Sequence, residues 1–581
     1  MSSFILPSEK IVETKKCLLS GQDFVITDKD LEFYDKVSPV FGWKKYSIPT
    51  PKLCPEERQR RRLAFRNERK LYKRKCSATG KEIISNHKPE SEYPVFLRDY
   101  WFSDSYNPSE YGVKFDFNIP FFTQFNTFQK KVPRIHIQQI PPLQNSDYAN
   151  YVSNCRDCYL VFDSDFNEKC LYNTRIAYCK DTVDSCFCER CEQCFECVQC
   201  QKSQKLFYCS YCVNCRDSWF LDSCIGCQDC LFCCNLVNKQ YCFMNQQLSK
   251  EEYKAKIEQV FSDTNIAKRR SLFLDFSRKN FKKYIHGNQI ENSTGDDLYN
   301  TKNVKQSFGM TECEDCAYCD LMNSSKNCYD VSSFGENASW IYETSTAGLN
   351  VNNCLFGQMN VNNASNLIYC DMIQSSRDCF GCISIKKWSH CVMNIPYSAH
   401  EYEELCGKII GHMQSTGEWW EYFPIEVSPF GYNETVAQEY FPLNQEEVQA
   451  KGWTWYDGEN KNTYMGAYAE ALSIGEYDEK VVGPEKAQKN IDTVLSGIFQ
   501  CEVSGKPFKI IRQELAFYIE NSMNLPTKHP DVRHGERMNI RNPRELHERG
   551  CDECGTKIIT AYSPDRPEKI LCEDCYRKHV Y

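Results

Sequence analysis

No apolar stretch in this chain approaches the ~18 residues of a membrane-spanning helix. The opening, MSSFILPSEK, has no basic region leading into an apolar run. Neither a membrane span nor a secretory leader is therefore expected. Histidine is sparse, with ten scattered along the chain. Gly-rich phosphate loops, G-x-S-x-G elbows and H-E-x-x-H helices are all missing, which leaves nucleotide-binding, hydrolase and metalloprotease chemistry without a motif. A net charge of −8 argues against a uniformly nucleic-acid-binding surface, so any such contact is local. Without export, the 37 cysteines are expected in a reducing cytoplasm as thiols or metal ligands.

What the chain has in excess is cysteine in register. Residues 155–242 hold 19 of the 37, and 17 of those 19 fall on one period of three. The densest part runs through Cys188, Cys191, Cys194, Cys197, Cys200, Cys209, Cys212, Cys215, Cys224, Cys227, Cys230 and Cys233. A strand returns to one face at every second residue and a helix after about 3.6 residues, so this is neither. A metal cluster also uses C-x-x-C. The same register, however, is occupied elsewhere by Val161, Ile176, Leu206, Leu221 and Leu236, which cannot ligate a metal but do pack like a free thiol. A fifteen-residue spacing also recurs, as in Cys194, Cys209 and Cys224. The fold expected is mainly β with some α: a central β-solenoid of stacked coils with a buried thiol ladder, flanked by finger modules.

Two duplications organise the rest. Cys17-Leu-Leu-Ser-Gly and Cys76-Ser-Ala-Thr-Gly near the start match Cys501-Glu-Val-Ser-Gly and Cys551-Asp-Glu-Cys-Gly near the end. Within the middle, Asp229-Cys230-Leu-Phe-Cys233 matches Asp378-Cys379-Phe-Gly-Cys382 at an offset of 149, which also superposes Cys170 on Cys319 and Cys179 on Cys328. Ser249 with Glu252 and Ser398 with Glu401 read as capping boxes that begin a helix after each block. The expected divisions are a two-finger module with a basic helix over 1–125, solenoid blocks over 145–265 and 290–415, an aromatic arm over 416–495, and a second two-finger module over 496–581. The arm's rings are expected to dock on the solenoid rather than to stack a ligand.

Only one finger keeps four ligands. Cys551, Cys554, Cys572 and Cys575 form C-x2-C-x17-C-x2-C with Gly555 at the first turn, the pattern of a structural zinc site. In the other three units Ser20, Thr79, Leu97, Tyr100 and Ser504 stand at ligand positions, so one zinc per chain is expected. The stretch from Arg58 to Lys75 holds ten Arg and Lys against the single acid Glu68. On a helix lightly anchored by Leu63 and Leu71, most of that charge is expected to face outward. Arg58, Arg60, Arg61, Arg62, Arg66, Arg69, Lys70, Lys73 and Arg74 are then candidates for phosphate contact. Further basic runs lie at Lys268–Lys283 and Arg533–Arg549.

The run from Cys54-Pro-Glu-Glu-Arg58 to Cys76-Ser-Ala-Thr-Gly-Lys, with the cysteine register and the terminal Cys572-Glu-Asp-Cys-Tyr, resembles a family of large, cysteine-rich, zinc-ribbon-ended proteins of small-genome bacteria. That family has no assigned function. The resemblance implies a cytoplasmic bacterial protein, and the family's C-P-x-C-R is broken here by Glu57. Together these features point to a non-enzymatic zinc-containing scaffold or adaptor that binds RNA, a ribonucleoprotein or protein partners through its finger modules. The alternative is a thiol-rich metal-handling or redox protein that uses the cysteine register itself.

Overall fold

In the computed structural model of the chain, residues 4–263, 265–332, 335–458 and 464–581 are described. They form a mixed α/β structure rich in short strands, and among them no sheet closes into a barrel. No helix among the described residues is long and apolar enough to cross a membrane. Two compact units arise, each from non-consecutive stretches. The first comprises Met1–Gln138, Phe281–Tyr456 and Asn542–His579. The second comprises Gln139–Asn280, Asp457–Arg541 and Val580–Tyr581.

The second unit shows where the period of three comes from. Parallel bridges join Arg156 to Glu168, Tyr159 to Leu171, Phe162 to Thr174 and Asp165 to Ala177, and the set repeats onward. Each bridge therefore links positions one twelve-residue turn apart, and successive bridges are offset by three. The residue after each bridge is left-handed, with φ of +55° at Asp157, +50° at Leu160 and Asp163, and +57° at Phe166. The third residue of each side (Cys158, Val161, Ser164, Asn167) is buried. Left-handed backbone at a non-Gly residue costs roughly 1–2 kcal/mol. Here it is held by amides bonded to the neighbouring turns, such as Tyr172 N–H to Tyr159 O and Cys186 N–H to Cys197 O, both 2.9 Å.

The fifteen-residue recurrence is thereby corrected to a twelve-residue turn. Cys200, Cys212 and Cys224 occupy consecutive turns, whereas a step of fifteen is one turn plus one three-residue side. Every ladder cysteine is buried and none is paired in a disulfide. Cys191 Sγ donates to Cys200 O and Cys197 Sγ to Leu206 O, each at 3.3 Å. Burial pushes the thiol of Cys242, the last of the register, up to about 11. The bridge residues of one side, among them Leu171, Val183, Phe195 and Phe207, form a single apolar cluster with Phe499, Phe508, Leu515, Phe517 and Tyr518.

The first unit repeats the design with a variation. Bridges from Lys302 to Glu314 and from Glu314 to Lys326 keep the twelve-residue turn. Those from Lys326 to Ser339, on to Asn352 and on to Ser365 each take one residue more. From Ser365 to Arg377 and Ser389 the shorter turn returns. Three inserted residues explain why the offset of 149 fails upstream, so the superpositions of Cys170 on Cys319 and of Cys179 on Cys328 are corrected. Asp184 and Asp330, like Tyr172 and Tyr318, correspond at an offset shorter by those three. They make equivalent contacts, Arg533 and Arg58 lying over the two tyrosine rings. At the left-handed corners asparagine is frequent, and Asn353 donates to Asn366, which donates to Asp378, both at 2.8 Å.

Both expected capping boxes form, Ser398 with Glu401 and Ser249 with Glu252. In the first unit the apolar side (Tyr342, Leu355, Ile368, Phe380) is covered by Phe33, Phe121 and the helix Ala399–Thr416, and by Trp419, Tyr422 and Phe423 of the arm. Those three rings dock on the ladder as the sequence implies, whereas Tyr440, Phe441, Trp453 and Trp455 pack in a separate cluster with Leu63, Ala64 and Tyr432.

A buried inward position tolerates serine because Ser203 Oγ donates to Gln201 O and accepts from Cys215 N–H. Cys197→Ser should therefore cost about 1 kcal/mol, at the low end of the ~1–3 for burying a hydroxyl, read from urea denaturation. Alkylation of Cys194, Cys197 or Cys212 in the native protein should be as slow as global unfolding; rapid native labelling would place these thiols in a reactive role.

Candidate functional site

The strongest candidate is built on a knuckle in the first unit. Strands His547–Gly550 and Lys557–Thr560 pair antiparallel and deliver the chain into a tight turn. Cys551 N–H bonds Thr556 O at 2.8 Å, and Gly555 N–H bonds Cys551 O at 2.9 Å. Gly555 has φ of +73°, which admits a residue without Cβ. The second pair comes from the end of strand Ile570–Leu571 and the first turn of helix Glu573–Val580. The four Sγ atoms lie within 4.8 Å of one another, with Cys554 and Cys572 at 3.7 Å.

The electrostatics of the four thiols are uneven. Burial works against the Cys551 thiolate, but the amides of Cys554, Cys572 and Glu553 point at its sulfur and bring it down to about 6. Cys575 is driven up, by burial first and then by the sulfurs around it. Four such groups ionise together only if a cation shares their charge. The arrangement suits a soft divalent metal. These are the four residues the sequence singles out, and the structure brings all of them together.

The same turn recurs three times without that donor set. The carbonyls of Cys17, Cys76 and Cys501 each accept the amide of the glycine four residues on, and Gly21, Gly80 and Gly505 have φ of +69°, +71° and +68°. Hydrogen bonds stand where ligands would be. Ser20 Oγ lies 3.7 Å from Cys54 Sγ, Cys76 Sγ accepts from Thr79 and Leu97 amides, and Cys501 Sγ accepts from Ser504 N–H. Sequence reading missed a further group, His286 with Asp296 and Asp297, whose members are separated along the chain and share no motif. His286 N–H and Nδ1 both meet Asp296, which also accepts from Asn542. Burial would raise the Asp296 carboxyl, but its contacts with His286 outweigh that and hold it low.

The basic run is not an outward face, and that expectation is corrected. Helix Pro55–Leu63 buries Arg58, Arg61 and Arg62, and Arg66 follows them inside. Arg58 Nε donates to Asp330 at 2.9 Å, and Arg61 spans Glu343 at 2.7 Å and Glu421 at 3.2 Å. Arg62 Nε donates to Ser332 Oγ at 2.8 Å and its Nη1 lies 3.4 Å from Asp330. Arg66 meets Glu68 and Thr346. Arg60 pairs with Glu57, Arg69 with Glu439, and Arg74 donates to Lys88 O. Lys70 is half-buried and Lys73 exposed. The later runs turn inward in part, with Lys268, Arg278 and Lys279 left exposed. Arg533 and Arg537 both bond Asp184 inside the second unit, Arg270 pairs with Glu196 at 3.0 Å, and Arg544 lies 3.3 Å from Asp320 in the first. The signal that was missed is the set of acids on the ladders, far away in sequence.

No protein-family model matches the chain, and no curated protein matches it.

Two outcomes test this geometry. Elemental analysis of purified protein should find one metal ion per chain, lost from a variant in which Cys551 and Cys575 are serine; three or more ions would mean that the other knuckles are occupied. Asp330→Ala leaves Arg58 and Arg62 buried without their carboxylate and should cost about 3–5 kcal/mol in a denaturant titration. A loss under about 1 kcal/mol would fit an exposed pair instead.

Proposed function

We propose that this chain is a non-enzymatic, zinc-containing scaffold of the cytoplasm whose finger modules display surfaces for a partner. The observation that carries the reading is how its reactive side chains are used. Ladder thiols are buried and donate to backbone carbonyls, and the basic helices are bound to acids of the ladder they cover. Twelve-residue turns with three-residue sides support reading both blocks as stacked-coil solenoids, an architecture used for extended display surfaces. The four-thiolate donor set favours zinc over harder cations.

Use of the cysteine register for redox or metal storage has little support in thiols that are sealed from solvent. A partner that is protein or ribonucleoprotein fits better than naked RNA, because Arg58, Arg61, Arg62 and Arg66 are committed inside. Exposed cations such as Lys73, Lys75 and Lys268, and the fully exposed Trp43, remain available to it. Affinity capture of the full chain from its native cytoplasm, with and without nuclease, tests this. Defined partners should persist after nuclease treatment; their complete loss would assign the chain to RNA and overturn the protein-docking reading.

A further inference from the structure

We propose that Cys554 and Cys572 are the chain's oxidation site, where peroxide joins them in a disulfide and releases the metal. For the release alone, this rests on the four-thiolate metal reading above. Two independent observations carry it. The first is accessibility: of the 37 cysteines 35 are buried, Cys554 is exposed and Cys572 is half-buried. The only two cysteines that are not buried therefore belong to one pair, with their sulfurs 3.7 Å apart.

The second observation is the way in. A cavity of about 570 Å³ lies against the tetrad, with Cys554, Cys572 and Cys575 on one wall and Tyr284, Ile285 and Lys578 among the others. A small polar oxidant reaches the sulfurs there without any opening of the fold. The ladder cysteines, at 0–2 % exposure, offer no comparable access among the described residues.

The step balances. The Cys554 thiolate attacks the O–O bond of hydrogen peroxide, forming a sulfenic acid and releasing hydroxide. The Cys572 thiolate then attacks that sulfur, the S–S bond forms, the S–O bond breaks and a second hydroxide leaves. Two protons from solvent convert both hydroxides to water. The sulfurs lose two electrons and the peroxide gains them. Cys551 and Cys575 remain as two thiolates, too few to retain a tetrahedral dication. The sulfur pair must close from its present separation to about 2.05 Å to bond. The knuckles at Cys17, Cys76 and Cys501 keep their turns without four thiolates, so this one can change its cross-link and stay folded.

The test uses the full-length, reduced protein with its metal content measured first. Hydrogen peroxide is added, released metal is followed with a chromophoric chelator, and disulfides are mapped by mass spectrometry after alkylation in denaturant. One disulfide, Cys554–Cys572, and loss of the bound metal are expected, with the ladder thiols recovered reduced. Cys554→Ser should abolish both events. Because that variant keeps only three thiolates for its metal, the wild-type disulfide map decides the matter. Oxidation falling first on any other cysteine, or metal release without this disulfide, overturns the proposal. Protein that purifies without metal yet forms Cys554–Cys572 upholds the oxidation site and removes the zinc reading.

Discussion

Everything in this chain depends on the width of a three-residue side. With one extended, one left-handed and one inward residue per side, and four sides per turn, the interior receives four side chains from each twelve-residue turn. So narrow a core favours small side chains over aromatic rings. The inward positions of the second unit hold mainly Cys, Val, Leu, Ile, Ser, Thr and Asn, those of the first add Met310, Met322 and, near the last turn, Trp388, and most rings sit outside on the bridge and corner positions. Cysteine suits the inward site because it is small and apolar, and its S–H satisfies a carbonyl of the next turn. The polar occupants are tolerated for a related reason. Asn167 and Asn173 each donate to a carbonyl nine residues on and accept an amide twelve residues on, so no desolvation penalty is left uncompensated.

The aromatic outer side then needs a cover, and the cover brings charge with it. Helix Pro55–Leu63 in the first unit and helix Pro530–Met538 in the second each place an arginine over a tyrosine and an aspartate of the ladder, Arg58 on Tyr318 and Asp330, Arg533 on Tyr172 and Asp184. Lys305 does the converse, rising from the ladder to Glu9 and Asp30 of the covering module at 2.9 and 2.8 Å. Buried pairs of this kind add little net stability over an apolar contact, because both ions lose water. What they supply is register. A helix shifted by one turn would bury cations without partners, at several kcal/mol each, so the pairs fix which turn each helix covers.

How far the sequence could be read follows from which signals are local. The period of three was visible because Val161, Ile176 and Leu206 share the cysteines' positions. The capping boxes and the C-x2-C pairs were visible because their partners lie within a few residues. The number of sides in a turn was not visible, since steps of twelve and fifteen both preserve the register. The destination of the basic run was hidden more deeply. Asp330 and Glu343 lie 272 and 282 positions along the chain from Arg58 and Arg61, and a run of arginines looks the same whether its acids are solvent ions or a buried wall. His286 and Asp296 are only ten residues apart, but they meet through the fold of a strand entry and share no motif.

Why one knuckle keeps four thiols while three do not can be argued from what lies beneath each. The turn at Cys76 has Ile83, Val95 and Leu97 under it, and the next strand joins Phe96 to a cluster with Trp101, Tyr106 and Ile135. The turn at Cys501 rests on the aromatic cover of Phe499, Phe508 and Phe517, and that at Cys17 on Phe24, Ile26 and Leu53. Around Cys551 the apolar support is Ile558, Tyr562 and Ile570 with Tyr284, and Cys554 is left in solvent. At roughly 25 cal/mol per Å² of apolar surface buried, the aromatic clusters stabilise their loops without a metal. The last knuckle and the one at Cys17 have comparable apolar support, so cover alone does not separate them: the contact of Ser20 Oγ with Cys54 Sγ stands in one, and four sulfurs converge in the other. Two of those four sulfurs are also the least covered of the chain's cysteines, since Cys554 is exposed and Cys572 half-buried where every other cysteine is buried.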